Sequence, residues 1–206
     1  MKRRSLGFTI VEVLIFSTLS LLILGILVQV FIIATKKTED SRLRVDLQQR
    51  GLLVLRQFEK DFNQTSTRGL TAAVSGDDYV LAMTPIEARN PGRWKTFQTL
   101  YVFRGEAKEL YWREAFKEDF SEDLFPSKPY RPGPSELMHL ATNSTGKARI
   151  LSTNVEDFSV VDRNGSKTQF QSQPFTLDMK LRRPLSHSDR FAEFTVQRRF
   201  SLRNNY

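Results

Sequence analysis

The chain has 206 residues, 40% of them hydrophobic and 26% charged, enough for one modest folded domain plus a non-globular segment. It has no cysteine, which excludes disulfides and thiolate metal sites; its two histidines, His139 and His187, lie far apart in sequence and read as solvated or hydrogen-bonded residues. The formal charge is +8, and +5 without Lys2, Arg3 and Arg4; no run of five or six basic residues occurs, which argues against a disordered nucleic-acid-binding arm.

The first elements are an amino-terminal flank and a long apolar stretch. Residues 1–6 are polar and basic, with no acid, and residues 13–34 form a run of 22 without a formal charge. As a helix that run is about 33 Å long, enough to cross a hydrocarbon core of about 30 Å. The basic flank favours an amino end in the cytoplasm and the rest of the chain outside it. Lys36 and Lys37 weaken that bias, but Glu39 and Asp40 follow directly. Three readings compete. A secretory signal peptide has a shorter apolar region ending in a small-x-small site, which is missing here. A plain signal anchor explains the length and the basic flank but not Glu12, a carboxylate that is costly beside a bilayer unless it has a partner. A third reading has to explain all of these features at once.

Gly7, Phe8, Thr9, Ile10, Val11 and Glu12 carry the third reading. The segment resembles the type IV prepilin family, including the type II secretion pseudopilins, in which a short basic leader ends in Gly before Phe or Met and a glutamate stands at the fifth mature position. The resemblance covers about the first 35 residues. It implies cleavage by a membrane prepilin peptidase between Gly7 and Phe8 and methylation of the new amine on Phe8. Gly suits such a site because it passes a narrow cleft without a Cβ. It also implies that Glu12 neutralises a positive amino terminus on Phe8, that of a neighbouring subunit. The partners it implies are the cytoplasmic (inner) membrane, the peptidase, and other minor and major pilins in a helical filament.

Beyond Lys36 the helix is expected to continue as an amphipathic one to about residue 63. Leu43, Leu47, Gly51, Leu55, Phe58 and Phe62 recur every three or four residues, with charged residues between them. Gly25 and Gly51 are weak points on propensity. Strands are expected at 79–84, 97–104, 109–114, 136–141, 155–161, 175–182 and 191–202, with a hairpin turn at 105–108, a long loop at 116–134 and a turn at 162–165. The domain reading is a leader at 1–7, a membrane and filament-core helix at 8–35, its amphipathic continuation at 36–68, and a β-rich domain at 69–206. One long helix before consecutive strands predicts an α+β fold, with the helix laid on an antiparallel sheet. The segment order is similar to that of the larger minor pilins: the J-type pseudopilin of type II secretion and the W-type minor pilin of type IV pili.

No P-loop, G-x-S-x-G or H-E-x-x-H motif is present, and the acids show no catalytic pairing, so no enzyme activity, cofactor or metal is expected. Asp162-x-Asn164-Gly165 lacks the later oxygen ligands of a calcium loop and reads as a turn. Trp94, Phe97, Tyr101, Phe103, Tyr111 and Trp112 read as core packing, with an exposed partner patch as the alternative. The expected function is structural: a minor subunit that helps initiate or cap a filament. Two alternatives stay open. One is a DNA-binding competence pilin, which the +5 charge permits without favouring; the other is a membrane-anchored protein of unrelated role.

Overall fold

A computed structural model describes residues 9–87, 93–120, 127–185 and 190–202. The chain divides into two compact units, 1–42 and 43–206. The helix α1 (Ile10–Phe62) contributes to both and is the long amino-terminal helix expected from the sequence. Its apolar residues up to Ile33 stay exposed, from Ile10 at 82% and Phe16 at 75%.

In the second unit, α1 turns one apolar face inward through Leu47, Gly51, Val54, Leu55, Phe58 and Phe62. After α1 the chain makes a short 3₁₀ turn and enters a five-stranded antiparallel meander. Its strands are β1 (Leu70–Ser75), β2 (Asp78–Met83), β3 (Phe97–Arg104), β4 (Glu109–Phe116) and β5 (Ala148–Thr153), in that spatial order. A second antiparallel sheet follows, with β6 (Val155–Val161), β7 (Phe175–Pro184) and β8 (Phe191–Phe200) in order. The expected single sheet is therefore two sheets. Asn154, with φ of +62°, passes the chain between them.

Alternation along the strands sorts side chains into two cores. Tyr79, Leu81, Met83, Tyr101, Phe103 and Leu110 face the same core as Phe58 and Phe62, and the inner residues of β6 to β8 close it. Phe58 lies 5.3 Å from both Phe62 and Tyr101, ring centre to ring centre, and Phe62 lies 5.7 Å from Phe175. Full burial of each such ring stabilises by about 1.5–3 kcal/mol. The opposite residues of the meander, among them Val80, Ala82, Leu100, Val102 and Ala115, pack on α2 (Pro134–Asn143). Of the aromatics named above, Trp94, Tyr101 and Phe103 are buried and the other three partly so, which is the packing role.

Residues 136–141, expected to be a strand, lie inside α2. Pro134 presets the first helical turn, and Leu137, Leu140 and Ala141 share one buried face at helical spacing. β1 and β5 were not expected. Val74 and Ser75 of β1 and the first three residues of β5 are exposed, so neither strand shows a clean apolar alternation along its length. Gly51, read as a weak point, has a packing reason. A Cβ there would stand 2.3 Å from the Phe194 ring of β8, so any larger residue forces that ring to shift where the strand closes on the helix.

Candidate functional site

Gly7 and Phe8 lie outside the described residues; Glu12 is within them. Thr9 precedes the first helical residue, and its backbone N–H and its hydroxyl both donate to Glu12 Oε2 at 2.9 Å. The Glu12 N–H donates back to Thr9 Oγ1 at 3.3 Å. This reciprocal pair is a capping box, which satisfies amide donors that the first turn leaves without carbonyl partners. A carboxylate in the first turn also complements the positive end of the helix dipole. The same box is legible in the sequence as Thr9-x-x-Glu12 ahead of an apolar run.

Beyond the cap, α1 is long and apolar enough to cross a membrane, and none of its most apolar window is buried. Several of its hydroxyls bond back to carbonyls of the helix itself. Ser17 donates to the Leu14 carbonyl at 2.9 Å, Thr18 to those of Leu14 and Ile15, and Thr35 to that of Phe31. Hydroxyls that bond back to carbonyls of their own helix, beside apolar groups turned outward, suit a hydrocarbon solvent.

The second unit holds a cleft of about 630 Å³, between the end of α1 and the strands β3, β4 and β5. Its centre is Asp61, whose Oδ2 accepts Tyr101 Oη at 2.8 Å, Trp112 Nε1 at 2.9 Å and Gln57 Nε2 at 2.9 Å. Burial, and then the Asp61 charge, hold the Tyr101 hydroxyl well above its ordinary range, so it stays a donor. Arg149 lies over the Trp112 ring, 4.8 Å from its centre. Lys60, Gln64, Glu114 and Lys147 complete the polar walls. Nothing in the sequence flags this cleft, because Asp61 meets its partners 40 and 51 residues away.

The remaining candidates resolve as structural. The buried Asp162 receives N–H bonds from Asn164 and Ser166 at 2.9 Å on Oδ1, and longer bonds from Gln171 and Ser172 on Oδ2. Burial alone would raise its pKa; the hydrogen bonds together outweigh burial and lower it. Gly165 sits at φ of +81°, as the turn reading requires. His139 is exposed on α2, and His187 lies outside the described residues. Arg182, Arg183 and Arg198 are ion-paired to Glu193, Asp46 and Glu59. Among the described residues no cluster of three His, Asp or Glu side chains is placed to hold a metal ion.

No family model, curated protein or solved structure matches this chain.

Proposed function

We propose that this chain is a prepilin-like structural subunit, a minor pilin or pseudopilin. After cleavage between Gly7 and Phe8 by prepilin peptidase, it helps initiate or cap a type IV pilus or type II secretion pseudopilus. The supporting observation is the conjunction at the amino terminus. A basic leader ends in Gly7, Glu12 follows at the fifth position, and α1 then carries an exposed apolar surface as far as Ile33. The leader holds the amino end in the cytoplasm, the helix waits in the membrane, and the carboxyl-terminal unit lies outside. In the filament, the new amine on Phe8 of one subunit and Glu12 of the next form a pair in a medium of low dielectric. Losing either partner leaves a costly lone charge.

The test is co-expression with a prepilin peptidase, followed by intact-mass measurement. The expected product has lost residues 1–7 and gained one methyl group on Phe8. A chain that keeps residues 1–7 beside an active peptidase overturns the reading. Gly7→Leu serves as the uncleaved control.

A further inference from the structure

We propose that the β5 edge and the cleft beside it form a docking site for an extended strand of a partner protein, with acidic and apolar residues alternating along that strand. This goes beyond filament assembly and does not depend on it.

Three observations carry it. First, β5 is the last strand of the five-stranded sheet and, among the described residues, is bonded on one side to β4 only. Lys147 O accepts from Glu114 N, so Lys147 and Arg149 turn their backbone groups toward β4. By the alternation of an antiparallel ladder, Ala148 and Ile150 turn theirs outward, toward an incoming strand. No Pro or Lys inside β5 blocks that edge, and residues 148–150 are exposed. Second, the side chains at this edge differ by face. Arg149 pairs in register with Trp112 on the cleft face, and Lys147 shares that face by the period of two. Ile150 pairs with Tyr111 on the other face and is 52% exposed. Third, Lys60, Lys147 and Arg149 border the cleft with no ion pair among the described residues. The Asp61 carboxylate beside them is already held by three donors. Glu114 is the one other carboxylate of the lining.

The edge therefore offers main-chain bonds, the cleft face offers positive charge, and the opposite face offers an apolar contact. Strand addition takes affinity from the first and specificity from the other two. A second copy of β5 fits poorly in the antiparallel registers that set Arg149 against Arg149 or against Lys147 of the other copy, where like cations oppose. Gly146 keeps the entry to β5 tight against β4. A Cβ there would stand 2.0 Å from the Glu114 carbonyl oxygen.

The test measures fluorescence anisotropy of labelled heptapeptides with the full chain in detergent micelles. The probe is Thr-Glu-Val-Glu-Val-Glu-Thr. One control has lysine for glutamate, and another has the probe's side chains with alternate amides N-methylated. The probe is expected to bind at least about tenfold more tightly than either control, and more weakly as salt rises. The Lys60→Glu/Lys147→Glu variant, altered at two exposed positions, is expected to prefer the lysine peptide, with its helical circular dichroism unchanged. Equal binding of the three peptides, or no binding of any at about 1 mM, overturns the proposal. So does a disulfide-linked dimer of Ile150→Cys that the probe does not compete away, which assigns the edge to a second copy.

Discussion

Glu12 carries two roles that one substitution can separate. Its carboxylate caps α1 through Thr9 in the single chain, and in the proposed filament it faces a neighbour's amine. Glutamine can still close a capping box but carries no charge. Glu12→Gln is therefore expected to keep the helix start and lose filament entry, whereas Glu12→Ala loses both. Incorporation of the two variants, scored by immunoblot of sheared filaments, checks this; wild-type entry of Glu12→Gln leaves capping as the only role. Asp61 makes a second residue-scale prediction. Asp61→Leu strands the buried Tyr101 hydroxyl and the Trp112 N–H, at about 1–3 kcal/mol each. Urea unfolding followed by tryptophan fluorescence is expected to show a midpoint shifted by that loss. Asp162 predicts a pH dependence. Its folded pKa lies below the ordinary 3.8 of the unfolded chain, so its contribution is complete above that value and lost as pH falls through the folded one. Asp162→Asn is expected to flatten the acid limb of the stability curve below about pH 4, with little change in its slope near neutrality.

At the scale of elements, Gly51 and Phe194 fix how α1 meets the second sheet. Gly51→Val drives a branched side chain into that ring and is expected to cost about 1–3 kcal/mol through overpacking, read as a lowered thermal midpoint. A paired Phe194→Ala change relieves the clash and recovers part of the loss, while Phe194→Ala alone does not. Elements were legible in the sequence where their period was clean. The α1 stripe is legible because its buried residues recur at helical spacing, and the β3–β4 hairpin and β6 are legible as aromatic and β-branched runs bounded by turn residues. Residues 136–141 form a short, mostly apolar run whose two polar members, Glu136 and His139, stand three apart, and so short a run fits a strand or a helix. The Pro134 start, which favours a helix, decides between the two periods. β5 was illegible because its edge position leaves most of its side chains in water.

At the scale of the molecule, α1 holds an exposed stretch long and apolar enough to cross a membrane. The full chain is expected to sediment with membranes and to resist alkaline extraction. Leu19→Asp/Leu22→Asp adds about 2.5–3.5 kcal/mol per aspartate at the span centre and is expected to release it. Of the candidate sites, the amino-terminal one is contiguous, so its residues could be named from sequence order alone. The Asp61 cleft needs α1, β4 and β5 together, and so required the fold.

The contact between Gly51 and Phe194 also sets a schedule. The helix emerges from the ribosome first, yet the strand that closes on it comes last. Until residue 194 has been made, the inward face of α1 lacks β8, and the aromatic ladder of Phe58 and Phe62 still lacks Phe200. Closure over so long a separation is slow. A chain stopped before β8 lacks the strand that closes that face and presents it to quality-control proteases.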